Sequence, residues 1–82
     1  MTDTRSLLKW NFVRQARVLT CEIRANGSQS YDVCVLPHWD VGSTVIEPYD
    51  RLANALGRHA QLASYFREHG WKIARDSHLT AA

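Results

Sequence analysis

The chain is poor in cysteine, proline and glycine and has no long apolar run, and each shortage removes a class of protein. Of its 82 residues only Cys21 and Cys34 are cysteines. Two thiols without C-x-x-C spacing make neither a disulfide framework nor a redox motif. His38, His59, His69 and His78 stand in none of the spacings of a zinc site, so no metal is expected. The glycines are isolated, which excludes a phosphate-cradling loop. No serine or cysteine sits in an activating motif, and the neighbours His38-Trp39-Asp40 seldom converge on one substrate from a loop. The expectation is a non-enzyme without a cofactor.

Nothing approaches the ~20 apolar residues of a membrane-spanning helix. Met1–Ser6 lead into two consecutive leucines rather than the apolar core of a signal peptide. Thr2 excludes myristoylation, and the C-terminus carries no prenylation box. A cytoplasmic protein without a membrane partner is expected.

What remains is an ordinary globular composition, 45% hydrophobic and 22% charged, at a length that makes one small domain. The net charge of +2 is too small to argue for nucleic acid by itself, but it is unevenly spread. Arg5, Lys9, Arg14, Arg17 and Arg24 dominate the first 30 residues. Asp32, Asp40, Glu47 and Asp50 follow with no base between them, and Arg51, Arg58, Arg67, Lys72 and Arg75 restore the positive sign. An acidic middle between basic flanks suits internal or inter-subunit pairing at least as well as an anionic partner.

The best-defined element spans Asp50 to Trp71. At 100° per residue, Leu52, Ala55, Leu56, Leu62, Ala63 and Phe66 fall within an arc of about 120°, opposite Asn54, Gln61, Ser64 and Glu68. Asp50 is the expected N-cap. Gly70 fits a left-handed C′ residue, with Trp71 reaching back to Phe66 as in a Schellman stop. His59 lies in the middle of the apolar arc. It reads as a neutral core imidazole bonded to a strand carbonyl, as a pH-sensitive core residue, or as a ligand contact. Gly57, on the polar side, marks a close approach by another backbone or nothing at all.

Before the helix the pattern turns to alternation. Leu19, Cys21 and Ile23 oppose Thr20, Glu22 and Arg24; Asn26-Gly27 marks a turn; Tyr31, Val33 and Val35 oppose Asp32, Cys34 and Leu36. A two-residue turn would mix the two sets. A three- or five-residue loop gathers Leu19, Cys21, Ile23, Tyr31, Val33 and Val35 on one face, and burial selects that register. Cys21 and Cys34 then face opposite ways. Ser43–Glu47 reads as a third short strand closed off by Pro48, and Trp39 as a lid on the core beside the helix.

The expected fold is α+β: a three-stranded antiparallel β-meander with one C-terminal α-helix packed across one sheet face. Residues 16–75 form this single domain. Residues 1–15 are an N-terminal arm or short element, helical or extended, and 76–82 a frayed tail. The open face should show Thr20, Glu22, Arg24, Asp32, Cys34 and Leu36 to water.

The runs CEIRANGSQSYDVCVLP and EPYDRLANALGRHAQLASYFREHGW resemble a group of small, functionally uncharacterised bacterial proteins. These have a short hairpin, an aromatic–Asp step into an alanine-rich helix, matched here by Tyr49-Asp50, and a closing Gly-Trp, matched by Gly70-Trp71. The resemblance covers about residues 16 to 72 and implies the sheet-plus-helix fold. It implies no activity.

Two functions follow as expectations. The first is a non-enzymatic protein–protein interaction module of unknown partner, self-associating as a homodimer through the open sheet face or a strand edge. The second is a small nucleic-acid-binding domain using Arg14, Arg17 and Arg24 of the first strand with Arg51 and Arg58 of the helix flank.

Overall fold

The computed structural model describes residues 4–27 and 29–74, with the backbone of His78–Leu79. The fold is α+β, an antiparallel sheet with one C-terminal helix. The strands are β1 (Thr4–Arg14), β2 (Arg17–Asn26), β3 (Tyr31–Pro37), β4 (Val45–Tyr49), β5 (Lys72–Ile73) and β6 (His78–Leu79); helix α1 (Leu52–Glu68) lies between β4 and β5. The sheet order is β4-β3-β2-β1-β5, with β6 also on β1. All pairs are antiparallel, so β4 and β5 run the same way at opposite sides, and α1 crosses the sheet to join them.

The expected three-stranded meander is thus too small, because Thr4–Arg14, within the segment expected as an arm or short element, take the extended alternative as a strand of 11 residues. Two local features hide it. Ser6 pairs with Arg24 and Leu8 with Ile23, which leaves Leu7 as the extra residue of a β-bulge. Leu7 and Leu8 are consequently both buried, and the period-two pattern is lost. The β1–β2 connection is the two-residue Gln15-Ala16, with Gln15 at φ 57° and no glycine or asparagine to announce it. Of the tail expected to fray, 76–82, the His78–Leu79 backbone pairs with β1, and the rest lies outside the described residues.

The β2–β3 hairpin has the register that burial selects, with Cys21 opposite Val35 and Ile23 opposite Val33. Gly27 sits at φ 76° in its turn, closed by the Asn26 amide donating to the Ser30 carbonyl at 2.7 Å. The third predicted strand starts two residues late, after a single 3-10 turn at Val41–Ser43. It also runs through Pro48, which a strand tolerates at a sheet edge.

At the helix, Asp50 is not the cap: Arg51 occupies that position and no side chain bonds the first turn. The stop is as expected. Gly70 has φ 89°, its amide donates to the Arg67 carbonyl and the Trp71 amide to that of Phe66, the two bonds of a Schellman motif. Only Ala55, His59 and Ala63 are fully buried on α1, small or flat side chains that let the helix lie close over β2, β3 and β4. Leu56, placed by the wheel in the apolar arc, is instead 43% exposed. The core has two lobes, one around Leu7, Leu8, Ile23, Val33 and Ala55 and one around Phe12, Leu19, Cys21, Ala63 and Trp71, with Trp10 and Leu62 packed against both. No described helix is long and apolar enough to cross a membrane.

Candidate functional site

Three places on the described surface carry unusual groups. The first is the end of the sheet where β1 turns into β2. Trp71, placed by the Schellman stop, packs on Phe66 and is 7% exposed. Trp39, in the β3–β4 loop, stacks on it with ring centroids 5.8 Å apart and planes 13° from parallel, and remains 46% exposed. It is the expected lid on the core, lying over Trp71, which packs with Ala63 and Phe66 of the helix. The Arg14 guanidinium lies 4.6 Å from the Trp71 ring and that of Arg17 lies 5.0 Å from the Trp39 ring. Arg14 also donates to the His69 carbonyl at 3.0 Å, where the helix C-terminus is partly negative.

The loop that carries Trp39 is closely held. The His38 amide donates to the Val18 carbonyl, Asp40 accepts from the Ser43 hydroxyl at 2.6 Å, and Thr44 donates to the Val41 carbonyl. Inside it, the Thr20 hydroxyl donates to Asn11 Oδ1 at 2.6 Å and accepts from His38 Nε2 at 2.7 Å, a chain of three polar side chains across β1, β2 and the loop.

The second place is the sheet face away from α1. A shallow cavity of about 220 Å³ is lined by Thr20, Glu22, Arg24, Cys34, Leu36 and Ile46, among others. Cys34, on β3 between β2 and β4, was expected in water but is 6% exposed; Thr20 and Glu22, also expected there, are 3% and 7% exposed. For these two the reason is β1: it makes β2 the middle strand of five, flanked on both sides. Glu22 accepts from Arg24 at 2.8 Å, which raises the arginine's pKa, first through that hydrogen bond. Cys34 sits beside them with its thiol pKa raised chiefly by desolvation. On the other face burial pushes the Cys21 thiol up to about 12. Neither is in the electropositive, exposed setting that makes a cysteine nucleophilic.

The third place is β4, the terminal strand, whose outer edge has no neighbour among the described residues. Val45 and Ile46 are 52% and 58% exposed, and Val41 in the preceding turn 62%.

The five arginines of the nucleic-acid expectation do not meet in one patch. Arg14 and Arg17 share the tryptophan end. Arg24 is engaged by Glu22 on the open face, and Arg58 grips both oxygens of Glu47 at 2.9 and 3.3 Å, holding that carboxyl below its usual range. Arg51 stands exposed at the helix N-terminus. His59 Nε2 donates to the Cys21 carbonyl at 3.2 Å, its ring edge-on to Trp10 at 5.1 Å, and desolvation lowers its pKa. It is a core imidazole. Among the described residues no three His, Cys, Asp or Glu side chains gather as a metal site.

Sequence reasoning noted Trp39 and Trp71 singly and missed their union with Arg14 and Arg17. The signal available was the position of each residue beside a turn or helix stop. No family model matches the chain, and no curated protein and no solved structure shows significant similarity to it.

Proposed function

We propose that the chain is a non-enzymatic interaction module that pairs with a second copy of itself through the β4 edge. The observation that carries this reading is the combination on β4 of an edge without a neighbour among the described residues and exposed Val45 and Ile46. An open strand edge offers unpaired amides and carbonyls, and proteins usually blunt it with charge or cover it. Here the exposed side chains at its start are apolar. Pro48 supplies no donor, so an antiparallel ladder about a two-fold axis would centre on Val45–Glu47, before the proline. Ile46 lies on the open face with Leu36 and Cys34. A partner strand would therefore bring its own Ile46 beside that shallow cavity.

Sedimentation equilibrium at tens of micromolar tests the reading. The expected mass is twice the 9.4 kDa of the chain. Ile46→Lys, at an exposed position, should return the monomer with an unchanged far-ultraviolet circular dichroism spectrum. A wild-type mass of 9.4 kDa would remove the proposal.

A further inference from the structure

The tryptophan end of the sheet has chemistry that pairing at β4 does not use. Trp39 leaves nearly half its surface in water although Trp71 and Phe66 already close the core beneath it. Its loop is fixed by the His38–Thr20 bond and by the Ser43 and Thr44 hydroxyls, so the indole is presented in one pose. Arg14 and Arg17 lie over the two indoles, and neither pairs with a carboxylate among the described residues. Arg14 links the stack to the last turn of α1 through the His69 carbonyl, and there the His69 ring lies 4.1 Å from Tyr65, 54% exposed.

We propose that this end binds single-stranded nucleic acid. A rigid exposed indole is a platform on which any unpaired base can stack, and guanidinium groups beside it neutralise the flanking phosphates. A base would take the exposed surface of Trp39. The Arg17 guanidinium moves from the ring to a phosphate, and Arg14 takes the next. Tyr65 offers a second ring to a neighbouring base. A duplex keeps its bases stacked inside and cannot use the indole. A polyacid such as polyglutamate satisfies the arginines but has no aromatic ring to stack on the indole. The site therefore differs from the arginine set expected from the sequence, since it keeps Arg14 and Arg17, drops Arg24, Arg51 and Arg58, and adds Trp39 and Tyr65.

Fluorescence anisotropy of a labelled oligothymidylate, titrated with the full chain, tests the site. Saturable binding is expected at about 50 mM salt, with most of the affinity gone by roughly 200 mM. Trp39→Ala should weaken binding about tenfold, while Trp39→Phe, which keeps a ring, should retain most of it. Arg17→Ala should lower the slope of log affinity against log salt by about one, and Tyr65→Ala should weaken binding severalfold. Should Trp39→Ala not fold, Arg17→Ala and Tyr65→Ala carry the test alone. Absence of binding at low salt overturns the proposal. So does equal binding by wild type and the folded Trp39→Ala, tighter binding to a duplex of the same length, or equal affinity for polyglutamate. The last result would mark a plain polyanion surface. These outcomes are independent of the mass in solution.

Discussion

Under the helix, the residues taken wholly out of water are Phe12, Cys21, Ile23 and Val33. On the opposite face of the same strands the buried residues are Asn11, Thr20, Glu22 and Cys34, which keep 3–7% exposure. The two sets alternate along β1, β2 and β3, yet they are buried by different means. The helix side is closed by a second layer, and its one polar intruder, His59, is satisfied by the Cys21 carbonyl. The other side has no covering helix among the described residues; its middle is shielded by flanking strands and their side chains. Its polar groups hold one another, Thr20 between Asn11 and His38, Glu22 against Arg24. Most polar residues buried without a second layer are therefore bonded groups, because an orphaned buried donor or acceptor costs about 1–3 kcal/mol. The exception is the Ser6 hydroxyl, buried opposite Arg24 without a partner among the described residues.

This contrast can be broken from either side. The largest effect is expected from Phe12→Ala, which empties the centre of the helix-side lobe beside Phe66. Loss of a fully buried phenylalanine costs about 3–5 kcal/mol, a large part of the stability of so small a domain, and urea denaturation would read it directly. A smaller effect is expected on the open face. Thr20→Val keeps the shape but removes the hydroxyl that joins Asn11 to His38, at a cost of about 1–2 kcal/mol. Thr20→Ser, which keeps the hydroxyl, should recover much of it. Equal losses for valine and serine would show that packing of the methyl group, not the polar chain, matters there.

The smallest effect is confined to mild acid. Desolvation depresses the folded-state pKa of His59 below its ordinary 6.5, against a partial opposing effect of the Cys21 carbonyl. The unfolded chain then binds the proton more readily. The stability contributed by keeping this ring neutral is fully present above 6.5 and is lost as pH falls from there through the lowered folded value. Unfolding curves for His59→Leu should be flatter than wild type in that window, while an unchanged slope would place the acid sensitivity elsewhere.

What could be read from the sequence follows from how local each signal is. The Gly70-Trp71 stop needs only neighbours along the chain, and both of its backbone bonds form as the sequence predicts. The β2–β3 register was legible because a slip by one would expose a whole apolar set. Asp50 failed as a cap because the helix begins one residue later, at Leu52, with Arg51 in the capping position. Strand β1 was hidden by the bulge at Leu7 and a turn without glycine, and from that omission came the error about Thr20 and Glu22. The tryptophan end is the least legible feature. Arg14, Arg17, Trp39 and Trp71 come together only through the β1–β2 turn, the β3–β4 loop and the helix stop, which no periodicity connects.

If the proposed pairing holds, the β4 edge meets a second copy while the helix-covered face holds each protomer together. Backbone hydrogen exchange at two protein concentrations, one far below and one above the association midpoint, measures both parts in one experiment. The outward-facing amides of Val45–Glu47 should gain protection as concentration rises, while those of β1 and β2 stay equally protected throughout. Protection at β4 that is the same at both concentrations would contradict the account.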